Sequence, residues 1–545
     1  MKKLLISSLI ALLVLTGCSS KGNSTDEDGI TTLTFFSADL PHDEPFTNPV
    51  AQEITKLTGV KLDISHPVGG DTQAIPVMIA GGDYPDMIFA KGDINQMIEA
   101  DALLQLDDLI EEKGDNLKNM YGDQINRLRS SVEDPHIYHV GTGGVENEYN
   151  ETSGTMLLQL DVLKELGYPE IKTLEDYENA IKTYIAKYPE IDGQSTIGMS
   201  LLGSDWRWLI TVGNPAGFVA GHQDDGQWLV DEDNNFETIY KFRDEDLKTY
   251  YRWLNGMYNQ GLLDPESFTQ GEDDYIAKLS AGRVLGIADQ DWNFSSATAA
   301  LRGDENYWRT FAPLAVGLTE DTKVASVKDY GFMGTTGISI AKDSPNVEKA
   351  FEFLDWFATE EAQILVNWGI EGVNYEIVDG KRVANPEDIE RSLTDDNYSL
   401  DTGIGPYIYP FPQAGSAALD STGQNFTRST KEQIIDDYSD AEKEVLSAYD
   451  AEMWVDLFPS RDEFELPRHG AGYEVILPTD LNEIHARVDD YMAQALTKLI
   501  TSKATDFDGV WDEIQTDLID MGIEEAEKQM TKLIQDKVNL WEGNY

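Results

Sequence analysis

The chain has little cysteine and little histidine. Cys18 is the single cysteine among 545 residues, which excludes an internal disulfide, a thiolate metal site and a cysteine nucleophile in the main body. Only seven histidines are present, and the closest pair is His136 and His139 in PHIYH. No third ligand accompanies them, so we expect neither a zinc site nor a haem site.

Positive charge and long apolar runs are also scarce. Lys and Arg number 41 against 99 Asp and Glu, for a formal net charge of −58. A body this acidic repels nucleic acid and anionic lipid, which disfavours polyanionic ligands. Hydrophobic residues at 41% and aromatics at 10% indicate a folded globule, and the length predicts two or more domains.

The N-terminus has the pattern of an export signal. MKK precedes an apolar run from Leu4 to Leu15, which is too short to span a bilayer. The run ends in LTGC, which resembles the bacterial lipobox, whose cysteine is diacylated. We therefore predict a signal peptide over residues 1–17, then a lipidated Cys18 and a flexible tether over 18–29. Two acyl chains would hold the body on the outer face of a cell membrane, in a single-membrane bacterium.

Strand-like and helix-like segments alternate over most of the chain. ITTLTFFSAD predicts a first strand, and NPVAQEITKLTGVKLDI predicts a helix that ends at Gly59 before a second strand. IKTLEDYENAIKTYIAKY predicts a helix capped by Thr173. The chain is mostly helical from about Asp436 onward. This alternation predicts α/β layers with largely parallel sheets.

Three segments, in this order, resemble one family. They are IAGGDYPDMIFAKGD (79–93), KLSAGRVLGIADQDW (278–292) and TTGISIAKDSPNVEKAFEFLDWFATEEAQ (335–363). Their order and spacing are similar to those of the large extracellular solute-binding proteins of bacterial ABC sugar importers, of the maltodextrin-binding type. WLNGMYNQGLLDPESF (253–268) and NWGIEGVNYEIVDGK (367–381) look like the long lipoprotein subgroup that handles oligosaccharides.

The resemblance implies an α/β fold of the type II periplasmic-binding-protein kind, a two-lobed clamp with a ligand cleft and two or three hinge crossings. Its motion is hinge closure around the ligand. We expect crossings near Met156–Asp161 and Phe311–Val316. The expected division is residues 30–157 plus 312–372 for lobe 1, and residues 158–311 plus 373–545 for lobe 2 with a helical C-terminal extension.

The implied function is that of a membrane-anchored substrate-binding protein of an ABC transporter, not an enzyme. It would capture a neutral oligosaccharide as a monomer and deliver it to the transmembrane permease subunits, without a metal or other cofactor. One alternative is a binder of peptide or another non-sugar solute on the same fold. Another is an exported glycoside hydrolase with paired carboxylates, although no segment resembles one and acid pairs are everywhere in this chain.

A sugar site needs aromatic faces for the apolar ring surface and carboxylates for the hydroxyl rim. Trp292 follows the strand-like VLGIA and two acids, Asp289 and Asp291, and it falls on the family's stacking tryptophan. Asp93 follows the strand MIF and matches an acid that accepts from sugar hydroxyls in the family.

Two further groups of residues are candidates for ligand contact. In GSDWRW, the acid Asp205 precedes Trp206 and Trp208, which would share a face in a strand or tight turn but not in a helix. In NWGIEGVNYE, a Gly-punctuated loop, the candidates are Trp368, Glu371 and Tyr375.

Some relatives bind calcium, and two segments bear on that possibility. PEIDGQSTIG offers only Glu190 and Asp192 as hard ligands, too few for calcium. DEDNNF (231–236) begins like an EF-hand, but Phe236 and Phe242 occupy positions that need a glycine and an acid. We therefore predict a hairpin turn at this place.

Overall fold

The computed structural model describes residues 25–543, except 27, 40–44, 68–72, 148–149, 153, 223–225, 325, 327–331, 333, 429, 461–462, 464–472, 474 and 476. Cys18, the predicted signal peptide and the first part of the tether lie outside the described residues. Helices are far more extensive than strands in the part that is described.

The strands are β1 Thr31–Ser37, β2 Val60–Ser65, β3 Met87–Phe89, β4 Val140–Gly141, β5 Thr155–Gln159, β6 Glu190–Ile191, β7 Gln194–Ser195, β8 Ile197–Met199, β9 Trp228–Asp231, β10 Glu237–Tyr240, β11 Val284–Asp289, β12 Phe311–Leu314, β13 Gly337–Ile340, β14 Tyr375–Val378 and β15 Lys381–Ala384.

The helices are α1 Pro49–Thr58, α2 Ala74–Gly81, α3 Ile94–Glu99, α4 Asp107–Lys113, α5 Asp115–Tyr121, α6 Leu160–Glu165, α7 Leu174–Lys187, α8 Asn214–Ala220, α9 Glu245–Asn259, α10 Glu272–Ser280, α11 Asp291–Gly303, α12 Val347–Phe357, α13 Glu360–Trp368, α14 Pro386–Thr394, α15 Tyr398–Thr402, α16 Lys431–Asp437, α17 Asp440–Ala448, α18 Thr479–Thr501, α19 Phe507–Asp520 and α20 Ile523–Trp541. Within the ranges that the structure describes, none of these helices combines the length and the apolar character needed to cross a bilayer.

Local chemistry explains several of the boundaries. Thr173 and Asp176 cap α7 reciprocally, each side chain accepting from the backbone N–H of the other. The predicted stop after α1 is also confirmed, because Gly59 has a φ of 67°, a left-handed conformation that suits glycine. The helices therefore begin and end where their capping residues allow.

Two mixed sheets organise the protein. The first has the strand order β2-β1-β3-β13-β4 and the second has the order β12-β5-β11-β8. In the first sheet β1 runs parallel to β2 and β3, and in the second β11 runs parallel to β8. The remaining pairings are antiparallel. The α/β prediction is confirmed, while the sheets are less parallel than expected.

Each sheet has its own apolar core, and this defines two lobes. The core of lobe 1 includes Phe35, Ile338 and Phe351, from β1, β13 and α12. The core of lobe 2 includes Leu158 and Leu285 from its sheet, together with residues of α7, α9 and the C-terminal helices α18, α19 and α20. The long C-terminal helices therefore complete lobe 2.

The chain changes lobes at slightly different places from those expected. Met156 already lies in β5 and Phe311 in β12, both within the second sheet. The first passage between the lobes accordingly falls between β4 and β5, and the second falls between β12 and β13. Strand pairing, which single segments do not reveal, accounts for the shift.

The expected boundary after residue 372 differs more. Tyr407 and Phe411 are buried in the core of lobe 1, and the Phe411 ring stacks on Phe357 at 4.2 Å between centroids. Phe426 packs near Met120, also on lobe 1. The chain packs on the core of lobe 2 again from Tyr438 and α17 onward, which makes a third passage between the lobes.

Candidate functional site

The second sheet brings two of the predicted residues to one edge. β8 and β11 are parallel neighbours, so their carboxyl ends lie at the same edge of the sheet. Trp206 lies in the loop that follows β8, and Trp292 lies in the first turn of α11, directly after β11. Ligands of open α/β sheets bind at this edge.

The two indoles form a parallel pair, which we call the tryptophan platform. The ring centroids of Trp206 and Trp292 are 6.1 Å apart, and the ring planes differ by 8°. The side chains remain 58% and 53% exposed. Large aromatic groups held parallel at a surface offer flat apolar area to a ligand ring.

A polar network holds Trp206. The Arg207 guanidinium lies 5.1 Å from the Trp206 ring centroid and donates from Nη1 to Asp205 at 2.8 Å. It also pairs with Glu272, the first residue of α10. Ser204 donates from its hydroxyl to the backbone carbonyl of Gln270 at 2.5 Å. Asp205 thus binds Arg207 beside the platform.

Asp289 holds the helix turn that carries Trp292. Its buried carboxylate accepts from Tyr275 Oη at 2.8 Å, from Asn293 Nδ2 at 3.0 Å and from the backbone N–H of Gln290 at 2.7 Å. Burial raises the pKa of Asp289 to about 7 despite these hydrogen bonds. Asp291 lies at the surface, where its Oδ1 accepts from the Trp292 N–H at 2.9 Å.

Trp208 does not lie on the platform. Its backbone is helical, with φ −53° and ψ −34°, so it turns away from Trp206 as the helical alternative requires. The indole is 8% exposed and packs in the core of lobe 2, 5.5 Å from the Phe242 ring.

Lobe 1 carries a second polar edge, where the parallel strands β1 and β3 end. Asp93 lies there, half-buried, and accepts from Gln96 Nε2 at 2.8 Å; burial raises its pKa. Beyond β1, Asp39 pairs with Lys91 at 2.5 Å and accepts from Tyr409 Oη at 2.9 Å.

Trp368 and Tyr375, candidates from the NWGIEGVNYE segment, belong to a small apolar core of their own. Trp368 and Tyr375 are buried, with ring centroids 5.9 Å apart and an edge-on geometry. Arg382 covers the Trp368 ring at 5.4 Å and pairs with Asp420 at 2.6 Å. Glu371 is exposed beside them. The structure does not bring these residues to Trp206 or Trp292.

His136, His139 and the DEDNNF turn occupy ordinary structural positions. His136 pairs with Asp107 at 3.1 Å, and His139 is buried against the backbone carbonyl of Gly334 at 2.8 Å. The DEDNNF segment joins β9 to β10 in an antiparallel hairpin, as predicted. The described residues contain no group of three or more His, Cys, Asp or Glu arranged to hold a metal ion.

The sequence does not single out Arg207, and it marks Asp289 only as one of two acids before Trp292. Tyr409 belongs to GPYIYPFP (405–412), an aromatic loop that is a weaker candidate to line the cleft. Asp289 ends the apolar run VLGIAD, and an acid at the end of a buried strand is a usable signal. Arg207 has no such signal, since its pairing with Glu272 depends on the fold. Tyr409 lies in an aromatic loop whose other rings are buried, so its 39% exposure is not visible in the pattern.

Solved structures that superpose on this chain include two named binding proteins. Alginate-binding protein AlgQ2 superposes with a TM-score of 0.66 at 17% identity, covering 92% of this chain and 97% of that chain. The Streptococcus pneumoniae ABC-transporter substrate-binding protein FusA, in complex with kestose, gives 0.66 at 18% identity, covering 94% of this chain and 100% of that chain. The fold is therefore the type II periplasmic-binding-protein clamp.

Sequence comparison identifies the family. A profile described as bacterial extracellular solute-binding protein matches residues 50–389, and the chain belongs to that family. Lipoprotein LipO of Bacillus subtilis strain 168 is 22% identical over 399 residues, 70% of this chain and 75% of LipO. FusA of S. pneumoniae serotype 4, named as a fructooligosaccharide ABC transporter substrate-binding protein, is 23% identical over 391 residues, 66% of this chain and 69% of FusA. The resemblance drawn from the sequence is confirmed.

Proposed function

We propose that this protein is the membrane-anchored substrate-binding protein of an ABC importer, and that it captures a neutral oligosaccharide by closing its lobes. The observation that carries the proposal is the tryptophan platform, which holds Trp206 and Trp292 parallel and exposed where strands of lobe 2 end. Apolar ring faces of sugars stack on such surfaces, while hydroxyls need polar partners nearby.

The energetics of stacking are sufficient for useful affinity. Covering about 100 Å² of apolar surface contributes about 2.5 kcal/mol at the usual coefficient. A micromolar complex requires about 8 kcal/mol in total. Two indoles therefore supply a large share of this free energy, and hydrogen bonds to the hydroxyls set the orientation of the ligand.

Lobe 1 is the proposed second half of the clamp. Asp93, Asp39 and Tyr409 lie where its parallel strands end, the equivalent edge to that of the platform in lobe 2. We assign them to the hydroxyl rim of the ligand, with Asp291 and Asp205 on the opposite side. Trp208, Trp368, Glu371 and Tyr375 remain weaker candidates because they lie outside the platform.

The relatives and the net charge narrow the ligand class. FusA is named for fructooligosaccharides and AlgQ2 for alginate, which is a polyanion. A chain with a formal net charge of −58 repels a polyanion unless a local basic surface compensates. We therefore place neutral oligosaccharides first, with kestose as the initial probe.

The anchor and the delivery step complete the proposal. Lipidation at Cys18 would retain the protein outside the cell, and the relative LipO is itself named a lipoprotein. The tethered protein would act as a monomer. It would stay beside the permease and deliver the ligand to it.

The test is a thermal-shift screen followed by isothermal titration calorimetry. The panel contains kestose, a neutral N-glycan fragment, an alginate oligosaccharide and a mixture of oligopeptides. Ligand at 100 times its Kd stabilises the protein by about 2.7 kcal/mol. We expect a neutral oligosaccharide to bind and to be recovered intact. Peptide binding alone would favour the non-sugar alternative, and cleavage detected by mass spectrometry would favour the hydrolase.

A further inference from the structure

Two buried cations from different lobes lie close together without an acid between them. Arg127 belongs to the short helical turn Gly122–Leu128 of lobe 1, and Lys537 belongs to α20 of lobe 2. The two residues are 8% and 2% exposed. Among the residues that the structure describes, no Asp or Glu forms an ion pair with either group. In a chain with 99 acids and 41 bases, such a pair requires an explanation.

Both cations have hydrogen-bond donors that the protein does not use. Lys537 gives one N–H to the backbone carbonyl of Arg129 at 2.8 Å, and an ammonium group has further donors to offer. The side chain of Arg129 is itself paired with Asp107 at 3.0 Å. The Arg127 guanidinium lies 4.3 Å from the ring centroid of Trp541, and its buried Nε has no hydrogen-bond partner. Buried donors and charges without partners cost free energy.

The other polar groups at this junction do not supply the missing negative charge. His139 is buried, and burial lowers its pKa to about 4, so its imidazole is neutral. Its Nε2 donates to a backbone carbonyl at 2.8 Å. Tyr473 stacks on Trp541 and donates from its hydroxyl to Glu232. Glu232 is not among the charges that act on either cation.

We propose that the junction between the lobes binds one small monovalent anion of the halide class, such as chloride, between Arg127 and Lys537. A single-atom ion needs only about the volume of one water molecule. A larger oxyanion would bring its oxygens against the carbonyls of Arg129 and Gly334, which already face this place. The ion would neutralise the junction and hold α20 on lobe 1. The inference does not depend on the ligand of the tryptophan platform.

Binding of the anion is coupled to the protonation of Lys537. Burial lowers the pKa of Arg127 to about 10, so this guanidinium stays charged near neutral pH. Burial and the charge of Arg127 lower the pKa of Lys537 to about 7, so its charge is lost above neutral pH. An anion beside the amine favours the protonated form. The anion should therefore bind more tightly in mild acid than in mild alkali.

The test is thermal unfolding of the whole protein at constant ionic strength, with sodium chloride replaced stepwise by sodium isethionate, whose anion is bulky. Lys537→Met and Arg127→Met each remove one cation and keep an unbranched apolar side chain. Lys532→Met is the matched control, because Lys532 lies on the same helix but is exposed and pairs with Asp536. Bromide in place of chloride locates the ion by its anomalous X-ray scattering in crystals of the wild-type protein at about pH 6.5.

At about pH 6.5 we expect chloride to raise the melting temperature of the wild type by about 2 °C over isethionate, in a saturable manner. The rise should fall by more than half at about pH 9.5. Lys532→Met should respond like the wild type, whereas Lys537→Met and Arg127→Met should lose most of the response.

Bromide should give an anomalous peak between Arg127 and Lys537, and this peak decides the matter if the variants do not fold. The inference would be overturned by the absence of that peak. It would equally be overturned by a wild type that does not distinguish chloride from isethionate, or by an undiminished chloride response in Lys537→Met and Arg127→Met.

Discussion

Lys537 on α20, in lobe 2, donates from Nζ to the backbone carbonyl of Arg129 in lobe 1, at 2.8 Å. Beside it the guanidinium of Arg127 lies 4.3 Å from the ring centroid of Trp541, also on α20. Burial, and then the charge of Arg127, lower the pKa of Lys537 to about 7. The C-terminal helix therefore joins the lobes through a buried amine that titrates near neutral pH.

Replacing this lysine should change how stability depends on pH. An ordinary lysine has a pKa of 10.5, so between about pH 7 and pH 10.5 the unfolded chain binds a proton that the folded protein does not. The free energy of unfolding therefore rises with pH in that window. Below about pH 7 the folded protein carries the buried charge, which lowers the free energy of unfolding by its full cost. Lys537→Met should remove this rise, as measured by thermal unfolding at about pH 6.5 to 9.5.

Lys532→Met is the matched control for that experiment. Lys532 lies on the same helix but is exposed and pairs with Asp536. It should leave the rise of the melting temperature above pH 7 intact. Equal slopes for wild type and Lys537→Met would show that Lys537 does not titrate in this window.

The platform tryptophans should affect binding without affecting the fold. Trp292→Ala and Trp206→Ala should each weaken oligosaccharide binding at least about tenfold, because stacking area is lost. Both side chains are more than half exposed, so the melting temperature should stay within about 2 °C of wild type. Trp208→Ala should behave in the opposite way, since it removes a buried ring and costs about 3–5 kcal/mol of stability. Calorimetry and circular dichroism together distinguish the two patterns, and a collapse of the fold in Trp292→Ala would assign that residue to the core.

Asp289 should make the protein relatively more stable in mild acid. Its folded pKa is about 7, above the ordinary 3.8, so the folded protein retains a proton over this range. The contribution of Asp289 to stability is therefore present below about pH 4 and is lost as the pH rises through 7, at up to about 1.4 kcal/mol per pH unit. Tyr275, Asn293 and the charge of Arg207 face the carboxyl group.

Asp289→Asn should flatten the fall in stability between about pH 4 and pH 7. Chemical unfolding at several pH values measures it, with the exposed neighbour Asp291→Asn as the control. A pH profile of Asp289→Asn that superposes on the wild type would mean that this carboxyl group is ionised throughout.

The lipid anchor has a direct test in cells. Cys18→Ser removes the thiol that the lipobox would acylate, so the protein should move from the membrane fraction to the medium. Labelling with a palmitate analogue should mark the wild-type protein alone. Retention of Cys18→Ser in the membrane fraction would show that another feature anchors the chain.

The place of Trp292 at the sheet edge could be predicted from the sequence because local order determines it, whereas its parallel pairing with Trp206 could not. Trp292 follows an apolar strand directly, and such strands end at the binding edge of an α/β sheet. Trp208 and Trp368 are the same residue type, yet they lie in helical backbone and are buried. Their burial depends on Phe242 and Arg382, which pack against them through the tertiary fold.

The lobe boundaries could not be predicted from local sequence either. The aromatic loop GPYIYPFP carries no local signal that distinguishes one core from the other. Tyr407 and Phe411 enter the core of lobe 1 because Tyr407 packs on Phe46, just before α1, and Phe411 packs on Phe353 of α12. The network around Asp289 was equally hidden, since Tyr275 comes from a helix that precedes the strand.

The strand order has a consequence for how the chain folds as it emerges from the ribosome or the export channel. β13, which the first sheet needs, follows all four strands of the second sheet, and α20 closes the second core at the far end of the chain. Neither lobe can complete its core before much of the other lobe has been synthesised. Contacts between residues distant in sequence must therefore form late. A nascent chain of this kind exposes apolar surface until its last helix arrives, and a fragment cut within the C-terminal helices leaves lobe 2 open.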